Sequence, residues 1–244
     1  MIETYHIGTY WGARKEDAEE CARRLVMVVQ LLQPVDPLFA SWFKSARSLK
    51  QSLTRPLELE VSSVQQYIQR YLMRDDRRQP MEDLGFSFGL WNGKQGENHA
   101  WLSIACGGYW EQVTNRCVLD APNEGPGVER VLTEPFQVAA LRALVTAWDP
   151  DWGAAISTAY RDMSKTQYLG AKVGWVTYFS RRLGRVPPLP APVRIEPVED
   201  QGTLVILTPE RFTATNPEHV ALADRVCELL ERAGLLQRKP PPAK

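Results

Sequence analysis

The sequence predicts an α+β protein: a mixed, largely antiparallel sheet or sheets with amphipathic helices packed on them. Three observations carry that expectation. Strand-like segments come in blocks instead of alternating strictly with helices, which is the α+β pattern. Four longer segments repeat apolar residues at the helical spacing of three and four. A turn containing Asn92-Gly93 and Gln95-Gly96 joins two strand-like runs in the middle of the chain. The 244 residues are 44% apolar and 24% charged. That is enough chain and enough apolar surface for a real core, and it excludes full-length disorder, collagen and coiled coil.

Glu3 to Trp11 alternates and is rich in aromatic and β-branched residues, so it reads as a first strand. Tyr5 and Trp11 on one face and His6 and Tyr10 on the other predict a strand covered on both sides. Asp17 to Leu32 follows as a helix, with Ala18, Cys21, Ala22, Leu25, Val28, Val29 and Leu32 on one stripe. Asp36-Pro37 opens a short helix with Leu38, Phe39, Trp42 and Phe43 on its apolar side. Residues 44 to 60 give no regular pattern. Ser62 and Gln65 form a capping-box pattern before a helix carrying Val64, Tyr67, Ile68, Tyr71 and Leu72. The run Arg74-Asp75-Asp76-Arg77-Arg78 ends it in solvent.

Leu84 to Trp91, His99 to Cys106 and Arg116 to Leu119 read as three strands. Asn123-Glu124-Gly125-Pro126-Gly127 is a loop. Thr133 opens a helix bearing Val138, Leu141, Leu144, Val145 and Trp148. Trp152 to Ser157 and Val173 to Arg181 are further strands. Val186 to Pro192 is a stiff, proline-rich connector. Arg194 to Pro197 and Thr203 to Thr208 form a hairpin around Asp200-Gln201-Gly202. Asn216-Pro217 caps a last helix with Val220, Ala223, Val226, Cys227 and Leu230 in its core, ended by Gly234. A boundary near residue 150 divides the chain into an α+β half (1–150) and a β-rich half with the final helix (151–236). Residues 237–244, with Lys239-Pro240-Pro241-Pro242, form a frayed tail. One continuous domain is the alternative.

Lys plus Arg and Asp plus Glu both number 29, so the net charge is zero. A general nucleic-acid binder shows a basic excess, and none is present. The four cysteines, Cys21, Cys106, Cys117 and Cys227, form no Cys-x-x-Cys pair and no disulfide scaffold. They read as small buried hydrophobes, with Cys106 and Cys117 as strand neighbours. No signal peptide or membrane span is visible near Met1, so the cytoplasm is the expected compartment.

Motifs for catalysis are missing. His6, His99 and His219 lack partners at metal-ligand spacing, and a satisfied structural role is expected for each. No nucleophile elbow or phosphate-binding loop occurs, and Gly107-Gly108 and Gly125-Pro126-Gly127 read as turns. A restriction-endonuclease-type metal site needs a Pro-Asp followed by Asp/Glu-x-Lys. Pro150-Asp151 is present, yet none of the 29 acidic residues has a lysine two positions later. No catalytic residue, cofactor or metal ligand is expected.

The aromatics and local charges are more informative. Trp42, Trp101, Trp148, Trp152 and Trp175 read as core. Trp91 beside Asn92-Gly93, and Tyr109-Trp110 after Gly107-Gly108, lie at turns, where aromatics either cap a sheet end or anchor a protein partner. Acids cluster at Asp120, Glu124, Glu129 and Glu134, at Glu196, Glu199 and Asp200, and at Asp149 and Asp151. Bases cluster at Arg161, Lys165, Lys172, Arg181, Arg182 and Arg185. Segregated charge on a neutral chain suits a protein partner; plain solvated faces are the alternative.

Several blocks resemble the bacterial immunity protein 52 family. Tyr5-His6-Ile7-Gly8-Thr9-Tyr10-Trp11-Gly12 with Ala18-Glu19-Glu20-Cys21-Ala22-Arg23-Arg24-Leu25 is similar to the family's opening. Asp36-Pro37-Leu38-Phe39-Ala40-Ser41-Trp42-Phe43 follows it. Gly174-Trp175-Val176-Thr177-Tyr178-Phe179-Ser180 and the Asn216-Pro217-Glu218-His219 helix start match the C-terminal pattern. The resemblance runs from about residue 3 to 236. It implies a non-enzymatic antitoxin that binds a cognate toxin encoded by the adjacent gene. The toxin is often a restriction-endonuclease-fold nuclease exported by a type VI secretion system. The expected partner is that nuclease domain, with no direct nucleic acid and no membrane, and the free chain as a monomer or weak dimer. Trp91, Tyr109, Trp110, Asp120, Glu124, Asp149 and Asp151 are the candidate toxin-binding residues. A small-molecule enzyme of α+β fold, or an antitoxin to a non-nuclease toxin, remains the alternative.

Overall fold

The computed structural model describes residues 3–163 and 170–237. Lys165 of the basic cluster, and the tail from Lys239 to Pro242, lie outside the described residues. The chain divides into two compact units: Tyr10–Pro122, and Met1–Thr9 joined with Asn123–Lys244. Each combines antiparallel strands with helices, an α+β fold as expected. The first strand, β1 (Tyr5–Trp11), has residues in both.

In the Tyr10–Pro122 unit, α1 (Ala18–Leu32) starts at a full capping box. The Asp17 carboxylate accepts the Glu19 and Glu20 N–H groups at 2.9 Å each, and Glu20 accepts the Asp17 N–H at 2.8 Å. Those are donors that a helix start otherwise leaves unpaired. All seven residues of the predicted stripe are buried, and Val26 joins them. α1 packs on α3 (Val61–Gln69).

Two expectations for α3 are corrected. It begins after Glu60 with no side-chain cap, so Ser62 and Gln65 lie inside the helix. It also stops before Tyr71 and Leu72. The Tyr71 carbonyl accepts the Ser87 N–H at 3.1 Å, and Leu72 bridges to Phe86. Sheet pairing there takes the backbone groups that another helical turn would use. The irregular stretch before α3 holds β2 (Phe43–Lys44) and the short α2 (Leu49–Leu53), capped by the Ser48 hydroxyl.

β3 (Phe86–Trp91), β4 (Trp101–Cys106) and β5 (Asn115–Asp120) follow, all paired antiparallel in the order β2-β3-β4-β5. Leu84 and His99, predicted as strand residues, fall in and after short 3-10 turns instead. One sheet face is apolar and buried: Phe88, Leu90, Leu102, Ile104, Cys106, Cys117 and Leu119. The other carries Ser87, Ala105, Arg116, Ser103, Val118, Trp101 and Asp120 at intermediate or full exposure. Gly89 and Trp91 on the same face are buried, so the one-sided pattern of a sheet that faces water holds over β4 and β5.

In the second unit, α4 (Val128–Val131) and α5 (Glu134–Trp148) precede β6 (Trp152–Ser157), α6 (Thr158–Met163) and β7 (Val176–Ser180). The hairpin of β8 (Arg194–Val198) and β9 (Gly202–Ile206) and the last helix α7 (Pro217–Arg232) complete it. The strand order is β6-β7-β9-β8, with β1 beside β6. Every residue of β7 is buried. Such a strand is covered on both faces, and α5 packs against β6 and β7. The predicted strand over 173–181 is shortened to β7, and α6 was not foreseen.

Thr133 does precede α5, but its hydroxyl donates to the Arg130 carbonyl and does not cap the helix. Val138 is half-buried, while Phe136 and Gln137 are buried; the Gln137 amide donates to the Val131 carbonyl at 2.8 Å. In α7, Asn216 caps the Glu218 N–H at 2.9 Å. Ala223, Val226 and Leu230 are buried as expected. Val220 and Cys227 are only half-buried, and His219 takes the interior place instead. Gly234 ends the helix at φ 74°.

Two substitutions test these assignments by urea denaturation at unchanged slope. Asp17→Ala is expected to lower stability by about 1 kcal/mol through the lost cap. Leu25→Ala, at a fully buried site, is expected to cost about 2–5 kcal/mol.

Candidate functional site

The loop between β4 and β5 carries two of the exposed large hydrophobic side chains, Tyr109 and Trp110. Gly107 takes φ 74°, and a Cβ there would lie 2.7 Å from the Glu16 carbonyl. The loop is therefore pressed onto the segment that leads into α1. The buried Asn115 side chain closes it. Its Oδ1 accepts the Gly108 N–H at 3.0 Å, and its Nδ2 donates to the carbonyls of Gly108 at 3.0 Å and Gly12 at 2.8 Å. The Arg14 N–H adds a bond to the Gly108 carbonyl at 2.9 Å. From the other side, the Asp83 carbonyl accepts the N–H groups of Tyr109 at 2.8 Å and Trp110 at 3.0 Å.

With its backbone so held, the loop leaves two aromatic rings outside. Tyr109 is 36% exposed and Trp110 48%. The Lys15 ammonium lies 5.1 Å from the centre of the Tyr109 ring, within cation–π range. Rigid, exposed aromatic area on a braced loop is what a protein anchor requires.

The other candidates are placed differently. Trp91 is only 5% exposed. Its ring packs between Phe43 and His99, and its Nε1 donates to the Ser52 hydroxyl at 2.5 Å. Of its two expected roles, capping the sheet end is the one that this burial fits, and its ring is not presented at a turn. Asp120 is exposed and lies opposite Trp101. Burial raises its carboxyl above the usual range, and nearby His99 partly offsets this. Five residues of β5 separate it from the loop end, roughly 17 Å at strand rise. Within this unit, the aromatic pair and Asp120 thus do not form one cluster.

In the second unit, Glu124 is exposed beside Asn123, whose side chain accepts the Tyr5 N–H at 2.6 Å. Asp149 ends α5 in the left-handed conformation, φ 44°. Arg182 binds its carboxylate at 2.8 Å, approaches Asp151 at 3.5 Å, and donates to the carbonyls of Asp149 and Pro150. Glu196 is likewise met by Arg142 and Arg194, and Arg194 also reaches Glu134 at 2.9 Å. Charges that are segregated along the sequence are therefore paired in space, which corrects the picture of separate acidic and basic patches here.

The histidines have structural surroundings. The His219 Nδ1 accepts the Thr213 N–H at 3.1 Å, and its ring stacks on Phe212. His99 stacks on Trp101. Burial and the nearby Arg161 lower the pKa of His6. Burial raises the Cys106 thiol well above its ordinary value, with Cys21 adding to the effect. Burial and the acids of α7 push Cys227 up to about 11. Thiols so held stay protonated and are poor nucleophiles. Among the described residues, no three His, Cys, Asp or Glu side chains group as a metal site. No described helix is long and apolar enough to cross a membrane.

Sequence reasoning found the aromatic pair but missed Asn115 and the Asp83 carbonyl that hold it. A lone Asn at a strand start and a backbone oxygen carry no periodic signal.

Among solved structures the chain is similar to Pseudomonas aeruginosa T6SS protein PA0821, with 11% identity and a TM-score of 0.55. The match covers 98% of this chain and 78% of that one, a likeness of fold. No curated protein matches the chain. A family model described as Immunity protein 52 matches residues 3–239, and the chain belongs to that family.

Trp110→Ala is expected to change stability by no more than about 0.5 kcal/mol, as for an exposed side chain. Trp91→Ala is expected to cost about 3–5 kcal/mol, and Asn115→Ala about 1–3 kcal/mol from backbone groups left unpaired. Thermal and urea unfolding of the three variants separate surface from scaffold.

Proposed function

We propose that this chain is an antitoxin that neutralises a cognate secreted toxin by stoichiometric binding, with no reaction of its own. Membership of the immunity protein 52 family is the observation that carries this reading. In our reading the toxin is a restriction-endonuclease-fold DNase delivered by a type VI secretion system. Its toxic domain is the product of the adjacent gene, and the two proteins meet in the cytoplasm. The free chain is a monomer or weak dimer.

Inhibition is steric and electrostatic. A nuclease is basic around its DNA groove, so carboxylates placed nearby speed encounter and compete with phosphate. Asp120 and Glu124 are the stronger candidates for that task. Asp149 and Asp151 contribute less, because Arg182 already neutralises much of their field. Tyr109 and Trp110 set the lifetime of the complex, as exposed rings on a backbone that needs no ordering when it binds. A complex of this kind buries about 1,600 Å² in total.

Co-expression with the C-terminal domain encoded by the adjacent upstream gene tests the reading. The expected outcome is a co-purifying complex and protection of plasmid DNA from cleavage. Trp110→Ala is expected to weaken the complex about 30-fold, the effect of an anchor worth about 2 kcal/mol. Persistent toxicity with no complex would sink the assignment for that pair. An unchanged affinity in Trp110→Ala would remove the aromatic loop from the interface.

A further inference from the structure

Between Asp36 and Glu58 the chain carries four bases, Lys44, Arg47, Lys50 and Arg55, and no acid. This segment forms β2 and α2. Arg47, Lys50 and Arg55 are exposed, and among the described residues no ion pair reaches them. Several arginines elsewhere are neutralised: Arg14 and Arg24 share Glu16, Arg142 and Arg194 share Glu196, and Arg182 holds Asp149. Leu49 and Leu53, one helical turn apart on α2, are 42% and 43% exposed. On that sheet face Asp120 stands in the row Trp91–Trp101–Asp120. Two strand spacings separate it from Trp91, roughly 10 Å.

The excursion is held firmly. The Lys44 N–H donates to the Arg55 carbonyl at 2.9 Å, and the Leu57 N–H to the Trp42 carbonyl at 2.8 Å. The Ser52 hydroxyl donates to the Lys44 carbonyl at 2.6 Å and accepts from the buried Trp91 indole. A segment pinned at both ends and in its middle is ordered before any partner arrives.

We propose that α2 and its flanking bases form a docking surface for an acidic face of the toxin, with Leu49 and Leu53 at its apolar centre. This rests on the antitoxin reading above. Charge complementarity defines the occupant: three unopposed bases around two leucines require carboxylates around an apolar spot. A five-residue helix without Trp or Phe is too slight to lie in a lipid interface. A nucleic-acid single strand is held on aromatic platforms, and α2 offers leucines in their place; a duplex presents phosphates all along its backbone, with no apolar spot to meet two leucines. The surface is separate from the aromatic loop, which sits at the other end of the β4–β5 pair. The toxin is therefore gripped at two places on this unit.

Surface plasmon resonance of the full chain against the adjacent gene's toxic domain tests this. Arg47→Glu with Lys50→Glu is expected to weaken binding about tenfold or more, mainly through the association rate, and to flatten its salt dependence. Leu53→Asp is expected to weaken it similarly through faster dissociation, while Arg225→Glu on α7 leaves it unchanged. A photo-crosslinking residue at Leu49 is expected to capture the toxin even where a charge variant folds poorly. Wild-type binding with unaffected α2 variants and no crosslink overturns this surface and leaves the antitoxin reading standing. No wild-type binding overturns both.

Discussion

The Asn115 amide is the interaction on which the exposed aromatic loop depends. It lies buried at the start of β5 and ties the two arms of a glycine loop to the segment before α1. A buried amide is tolerated only when its donors and acceptor are matched, and here three bonds match them. The same matching lets a loop rich in glycine hold one shape without a core of its own. Within each unit, the polar groups Asp17, Asp36, Ser52 and Asn216 do comparable work at helix ends and sheet margins, so the apolar stripes can meet without stranding backbone groups.

Charge follows a parallel logic in the second unit. Arg182 and Arg194 each gather two carboxylates and, for Arg182, backbone carbonyls as well. These are partly exposed contacts and individually weak. Their main effect is to leave that unit with little unbalanced field at those points. The unopposed charge that remains elsewhere is therefore more informative than the sequence's long runs of one sign.

Much of the fold was legible in the sequence because amphipathic period and cap chemistry act locally. The stripe of α1, the Asn216-Pro217 start of α7 and the β8–β9 hairpin each follow from residues within a few positions of one another. Where local signals compete with distant ones, the reading slipped. Tyr71 and Leu72 keep helical spacing, yet Ser87 and Phe86 recruit them to the sheet. Trp91 looked like a ring at a turn because its partners Phe43 and Ser52 come from a stretch with no period of its own. The acidic runs look separate because Arg182, in the turn after β7, and Arg194, on β8, lie far along the chain from Asp149 and Glu134. The candidate site was legible only as far as Tyr109 and Trp110. What positions them is an amide and a carbonyl, groups that every sequence possesses in abundance.

The brace around residues 107–115 has one more consequence. Apart from the Asn115 amide, the hydrogen bonds described for the loop are made by the main chain: the amides of Arg14, Gly108, Tyr109 and Trp110, and the carbonyls of Gly12, Asp83 and Gly108. None of these bonds depends on which side chain stands at 109 to 112. The scaffold thus works as a fixed socket with an exchangeable tip. Its side chains can change one codon at a time, while the main-chain brace that carries them stays as it was.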